Sequence, residues 1–393
     1  MLKRIGVKDL RVGMYVSELC HSLDENPFWK GKFLDREHDL LSLDGCDIVR
    51  VVIDTSKGLD VLVTAEALDA PADSLFESSL EAELVRAQAL CARSKAAVVQ
   101  MFSHARMGQA IECEHINQLV DDISSSVARH PNAFISLARL KNADEYTYMH
   151  SVAVCALMIA LARQLDLPPE QVHKAGLAGL LHDVGKMTVP GAILNKPGKL
   201  TAEEFAVVRQ HARSGVQLLQ ASEQVCELVL DVCLHHHEKI DGSGYPDQLL
   251  EQQISVFARM AAVCDVYDAI TSDRSYNDGW DPAMALKKMS EWEGHFDGKV
   301  FQAFVKTVGI YPVGSIVRLK SGSIGVVMEQ HPLSLLTPKV KVFFSTLTHA
   351  YVTPRIIDIS ASEQTEKIVE RVPLQRYGFK HTEALWAGSQ VKK

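Results

Sequence analysis

The chain has 393 residues, 47% hydrophobic and 23% charged, with a net charge of −8 and an isoelectric point near 6.1. That length carries two or three domains with sizeable cores, and the composition excludes a disordered chain. The acidic balance argues against a nucleic-acid polymer as partner. The eight cysteines include no close Cys-x-x-Cys pair. Reduced thiols in a cytoplasmic protein are expected, and a thiolate metal site is disfavoured.

Met1 to Val16 lacks an apolar core of signal-peptide length, and the longest apolar run, Val152 to Ala162, is too short to span a bilayer. Residues 1–66 read as a small, mainly-β module of unreadable role. Its strands are expected at Ile48–Ile53 and Leu59–Val63, β-branched runs bounded by turn residues. No acidic pair follows a strand in the manner of a phosphoacceptor domain. The patch Phe28-Trp29-Lys30-Gly31-Lys32-Phe33 reads as an exposed loop with buried rings. Residues 67–110 are expected to be a linker and then a long helix. In that helix Leu80, Leu84, Ala87, Cys91, Ser94, Val98, Met101 and Ala105 alternate steps of four and three. The small residues and the serine in this seam favour packing within the chain over a homodimer zipper.

Residues 111–310 are helical in pattern, broken at His130-Pro131, Leu167-Pro168-Pro169 and Lys196-Pro197-Gly198-Lys199. Thr201-Ala202-Glu203-Glu204 is a capping box that should begin the helix carrying His211. Residues 311–393 turn back to β pattern, with a hairpin over Ile316–Leu319 and Ile324–Met328 and a strand at Val340–Phe344. The tail from Ser362 has no assigned role. The expected fold is therefore mainly α, a helical bundle core with a small N-terminal β module and a small C-terminal β appendage.

The chemistry concentrates in the bundle. Leu180-Leu181-His182-Asp183-Val184-Gly185-Lys186 closes an apolar helical run with two adjacent ligand types and a cation nearby, which suits a metal that handles phosphate. Ala175, Gly176 and Gly179 give that helix a small-residue face open to close approach, and Gly185 reads as a helix stop. His150, His211, His235-His236-His237 and Asp265, on a helix expected over Ser255–Ser272, recur at spacings that place ligands on successive helices. Singly, each is more often a surface, capping or ion-paired group. Imidazole and carboxylate without thiolate suit iron, manganese, nickel, cobalt or zinc and exclude an all-oxygen calcium site.

His236-His237-Glu238 with Asp241-Gly242-Ser243-Gly244-Tyr245-Pro246 resembles the signature of the HD-GYP domain. The stretches Tyr146–Ser151, His182–Lys186, Lys196–Thr201, Ala262–Ala269 and Thr271–Asn277 are similar to it in the same order. The likeness spans roughly Asp144 to Phe304. The N-terminal module resembles the domain of unknown function that often precedes HD-GYP domains in bacteria. This resemblance implies an HD-type bundle that hydrolyses cyclic di-GMP to linear pGpG and often on to GMP. It implies two divalent transition-metal ions, iron or manganese foremost, with Asp183 bridging them. His150, His182 and Asp265 would complete one site, and His211, His236 and His237 the other. Two ions would neutralise the phosphodiester and acidify a water into a nucleophile near neutral pH.

By the same resemblance Lys186 contacts phosphate or water as a point charge, and Arg274 clamps phosphate or guanine. Tyr245 and Asp241 belong to the substrate loop, and His235 has no transferable role and is left as helix surface. Three departures stand out: Ser275 replaces the family's usual proline, Asn277 a common basic residue, and Tyr146 the glutamate of three-metal members. Two metals are therefore expected, with Asp144 and Glu145 nearby. The competing readings are a catalytically weak module that binds cyclic di-GMP or protein partners, and another HD-superfamily phosphohydrolase acting on mononucleotides. All seven ligand positions are kept, which disfavours the first, and the Asp241–Pro246 loop disfavours the second.

Overall fold

The computed structural model describes residues 2–6, 10–21, 32–33, 48–59, 80–107, 109, 113–139, 146–222, 225–272, 279–331, 334–361, 366–379 and 382–387. The chain divides into two compact units, residues 1–77 and 78–393.

In the first unit β1 (Leu2–Gly6), β2 (Tyr15–His21), β3 (Lys32–Phe33) and β4 (Ile48–Asp54) pair antiparallel in the order β1-β4-β2-β3. β4 contains the expected β-branched run, and Val51, Val52 and Ile53 are buried at the sheet's centre. Within the second expected strand only Leu59 is described, exposed after a turn at residues 55–58. Residues 28–31 of the aromatic patch and the linker up to residue 79 lie outside the described residues. Lys32 and Phe33 pair with Val16 and Tyr15.

The second unit is a helical core carrying a β-sheet. α1 (Leu80–Arg106) buries Leu84, Ala87, Ser94, Val98, Met101 and Ala105 within the same chain, and Ser94 donates its hydroxyl to the Leu90 carbonyl at 2.8 Å. α2 (Cys113–Arg129) and α3 (Pro131–Arg139) pack beside it. α4 (Tyr146–Gln164) is buried almost all round, from Met149 to Ala162. By length and hydropathy it could cross a membrane, but 78% of its most apolar window is buried inside the fold, the mark of a core helix.

The small-residue face of α5 (Pro169–Leu181) presses onto α4. A Cβ on Gly176 would lie 2.7 Å from the Ile159 side chain, and one on Gly179 would lie 3.0 Å from the Cys155 Cα. Only glycine lets the two backbones come this close. That approach brings His150 of α4 beside the end of α5.

α5 stops at Leu181, and Val184–Thr188 form a 3₁₀ turn, so the helix ends before Gly185 rather than at it. The capping box at Thr201 and Glu204 forms as expected, with both bonds made. Its helix is shorter than the sequence suggested: α6 (Ala202–Arg209) ends at Gln210, and His211 opens a separate helix, α7 (His211–Gln220). The 3₁₀ turn lies against α7, where a Cβ on Gly185 would stand 1.9 Å from the His211 carbonyl oxygen and 2.5 Å from the Gly215 nitrogen.

α8 (Glu227–His235), α9 (Val256–Thr271), α10 (Pro282–Ser290) and α11 (Gly298–Val308) complete the core, α9 being capped by Ser255. The C-terminal strands β5 (Ile316–Leu319), β6 (Ser323–His331), β7 (Ser334–Ser345), β8 (Ala350–Asp358) and β9 (Ile368–Arg371) form a sheet ordered β8-β7-β6-β5-β9. The expected hairpin is present, with Ile316 opposite Val326. One face of the sheet, including Ile316, Ile324 and Phe344, joins the helical core, while Val317, Val327 and Val340 form a second cluster. The tail contributes the edge strand β9.

Glu83 ties α1 to α2 although its side chain is wholly buried. It accepts from Ser126 Oγ at 2.8 Å, Arg129 Nε at 2.8 Å and Arg86 Nε at 2.9 Å. Burial alone would raise its carboxyl, but these donors hold it below the ordinary glutamate value of about 4.5. A depressed carboxyl stabilises the fold above its unfolded value and loses that contribution as the pH falls through the folded value. Glu83→Gln is expected to cost about 1–3 kcal/mol at pH 7. The deficit in melting temperature should shrink between pH 5 and pH 3; a deficit constant with pH would contradict the role given to the charge.

Candidate metal centre

The seven carboxylate and imidazole candidates converge from five segments. His150 sits in the second turn of α4, and His182 and Asp183 follow α5. His211 opens α7, His236 and His237 follow α8, and Asp265 lies within α9. Helix ends leave carbonyls without intrahelical donors, and the histidines use them. His182 Nδ1 lies 2.8 Å from the Gly179 carbonyl, His211 Nδ1 2.7 Å from that of Val208, and His236 Nδ1 3.0 Å from that of Cys233. A carbonyl only accepts, so each Nδ1 carries the proton and each Nε2 presents a bare lone pair.

Those lone pairs face Asp183 from two sides. His182 Nε2 is 3.2 Å and His150 Nε2 3.5 Å from Asp183 Oδ2. His211 Nε2 is 3.5 Å and His236 Nε2 3.7 Å from Oδ1. Two ligand sets result, His150, His182 and Asp183, and Asp183, His211, His236 and His237, the candidate atoms of each lying within 4.8 Å of one another. Asp265 spans them, with Oδ1 2.9 Å from His150 Nε2 and Oδ2 3.7 Å from His237 Nδ1.

The donor set fits cations. Asp183 Oδ1 and His182 Nε2 are buried with no hydrogen bond among the described residues. His211 and His236 point their Nε2 atoms at each other across 3.4 Å. Two bare lone pairs at that separation repel, and a metal ion answers both at once. The residues are imidazole and carboxylate, the chemistry of iron, manganese, cobalt, nickel and zinc.

The electrostatics agree. Burial pushes His211 down to about 3, so its ring is neutral and available as a ligand throughout the physiological range. Burial likewise holds His237 well below its ordinary value. Burial would raise Asp183, but the His182 imidazole and the Lys186 ammonium beside it keep its carboxyl well below the usual range. Lys186 reaches back from the 3₁₀ turn to pair with Asp183 Oδ2, three residues away. Ending α5 early therefore turns Lys186 toward Asp183 instead of stacking it over His182.

Several residues assigned no supporting role from the sequence hold this arrangement. Asp268 places Oδ2 2.6 Å from His150 Nδ1, supplying the second-nitrogen partner that the other histidines take from carbonyls. Tyr146 stacks on the His150 ring at 5.4 Å. Glu238, almost wholly buried, accepts from the backbone nitrogens of Asp247, Gln248 and Leu249 at 2.7, 3.0 and 3.1 Å. Gly244 lies so close to residues 238 and 239 that a Cβ there would stand 2.5 Å from the Glu238 Cα.

This loop seats Tyr245 against His237, ring centroids 4.7 Å apart. Asp241 accepts from the Ser243 nitrogen at 2.8 Å, a contact within its own loop. His235 is corrected from plain helix surface. Half-buried, it bridges Asp231 Oδ1 at 2.7 Å and Asp247 Oδ2 at 3.2 Å, tying α8 to the loop. Arg274, Ser275 and Asn277 lie outside the described residues, as do Asp144 and Glu145.

Comparison with known proteins gives the same direction. The HD domain family matches residues 123–300, and the domain of unknown function DUF3391 matches residues 2–116. A Pseudomonas aeruginosa protein named cyclic di-GMP phosphodiesterase is 57% identical over 99% of this chain and 96% of its own length. The Xanthomonas campestris response regulator RpfG, also named a cyclic di-GMP phosphodiesterase, is 37% identical over 44% of this chain and 47% of its own. A Vibrio cholerae protein named 3'3'-cGAMP-specific phosphodiesterase 2 is 33% identical over 49% of this chain and 37% of its own.

Asp268→Asn is expected to lower metal affinity by about 10–100-fold while leaving the helical content unchanged. Burial disfavours a charged His150, but Asp265 and Asp268 outweigh it and favour a proton that any cation on Nε2 must displace. Loading should therefore release protons and weaken as the pH falls. Calorimetric titration in two buffers of different ionisation heat checks both; unchanged affinity in the variant would remove Asp268 from this role.

Proposed function

This chain belongs to the HD-GYP family of HD-domain proteins, and we propose that it is a metal-dependent phosphodiesterase hydrolysing cyclic di-GMP. The product is linear pGpG, with GMP following if the linear dinucleotide is cut again. The observation that carries this reading is the placement of Asp183, one buried carboxylate whose two oxygens face two separate imidazole sets. The near-full-length likeness to a protein named for this activity supports the choice of substrate.

We assign His150, His182 and Asp265 to one ion and His211, His236 and His237 to the other, with Asp183 shared. Iron or manganese is the preferred occupant, with nickel, cobalt or zinc as alternatives. Bound ions supply positive charge for the phosphodiester and a more acidic water. The chain's own residues do the rest. Gly179, Val208 and Cys233 carbonyls hold the Nδ1 protons of His182, His211 and His236, leaving their Nε2 atoms as ligand nitrogens. Lys186 pairs with Asp183 and keeps part of its side chain exposed, a cation available to a phosphate. Tyr245 walls the His237 side, and Arg274 and Asp241 are further candidates for substrate contact. The described cysteines are unpaired, Cys155, Cys233 and Cys264 being buried, which supports a cytoplasmic setting.

The test is chromatographic product analysis after incubating iron- or manganese-loaded protein with cyclic di-GMP, beside Asp183→Ala. Linear dinucleotide or GMP should form with the wild-type chain and fall to background in the variant, which keeps its helical spectrum. Binding without turnover under every metal would make the protein a receptor.

A further inference from the structure

Arg209 ends α6 two residues before His211 and plays no part in the ligand sets. Its guanidinium carbon stands 4.6 Å from the Tyr245 ring centroid and 5.3 Å from that of Phe205, one turn earlier on α6. Tyr245 in turn lies 4.7 Å from His237 and 6.4 Å from His211, so the stack borders the second ligand set. Three described cations nearby are already paired: Lys186 with Asp183, Lys196 with Glu204 and Arg213 with Asp247. Arg209 has no carboxylate partner among the described residues, and its Nε is buried without a hydrogen bond.

A guanidinium placed over an aromatic ring keeps N–H groups that the ring does not take. The fork of a guanidinium carries parallel donors matched to the paired oxygens of a phosphodiester. Tyr245 is itself fixed, through the loop anchored on Glu238, so the cation is pre-set and loses little freedom on binding an anion. A cyclic dinucleotide carries two phosphodiesters, and the ligand sets around Asp183 serve one of them.

We propose that Arg209, stacked on Tyr245, binds the phosphodiester that is not being cut. This rests on the cyclic-dinucleotide reading above. It makes Arg209 a substrate-binding residue that discriminates a two-phosphate ring from a single phosphodiester.

The experiment compares wild type, Arg209→Gln and Arg209→Lys, all metal-loaded and full-length, with metal content measured for each. The substrates are cyclic di-GMP, 3'3'-cyclic GMP-AMP and bis(4-nitrophenyl) phosphate, which has a single phosphodiester. In Arg209→Gln the KM for cyclic di-GMP should rise about tenfold or more, the scale of a lost charge-assisted bond, with a smaller change in kcat. Both cyclic dinucleotides should suffer alike, the loss on bis(4-nitrophenyl) phosphate should be several-fold smaller, and Arg209→Lys should recover part of it.

An unchanged KM would overturn the proposal. So would equal losses on all three substrates, which would make Arg209 a prop for Tyr245. A selective loss of preference for cyclic di-GMP over cyclic GMP-AMP would assign it to a base edge instead. If the wild-type chain turns nothing over, the hydrolase reading fails. The dissociation constants of cyclic di-GMP for the same proteins then still decide Arg209, since an unaltered value in Arg209→Gln overturns its role.

Discussion

Burying an ionised carboxylate costs several kcal/mol unless opposite charge compensates it. Asp183 is wholly buried and still held in its charged form. It is surrounded by four imidazoles, all but one of which present a bare nitrogen because the opposite nitrogen is spent on a helix-end carbonyl. Lys186 answers only one of its oxygens, and the other has no hydrogen bond among the described residues. The rest of the helical unit is arranged so that this costly carboxylate can exist.

Close packing of small residues makes the arrangement possible. Gly176 and Gly179 let α5 settle on α4 and bring His182 beside His150. Gly185 and Gly215 let the 3₁₀ turn press on α7 and carry His211 to the far oxygen. A methyl group at Gly185 would overlap the His211 carbonyl, so glycine there is needed for the close contact beside this candidate ligand. Chains of this kind pass strain directly into site geometry, because packed interiors have no slack to absorb it.

Much of this was legible in the sequence, for physical reasons. The candidate ligand residues are titratable groups recurring on successive helices, and the small-residue face of α5 is a local pattern. The capping box formed because its two bonds are local as well. What escaped depended on tertiary contacts. Asp268 looks like any helical aspartate until His150 is found against it. His235 reads as helix surface until the loop brings Asp247 to its second nitrogen. The break at Gln210 has no proline or glycine to announce it. β9 was hidden in a polar tail because an edge strand of four residues carries little pattern of its own.

The sharing of Asp183 by two ions is tested most directly by counting metal per chain in manganese- or iron-loaded protein and recording its magnetic resonance spectrum. Two ions per chain with an exchange-coupled signal, lost in Asp183→Asn, is the predicted result. A single ion at full loading, or two ions with independent spins, would contradict a carboxylate that joins the two ligand sets.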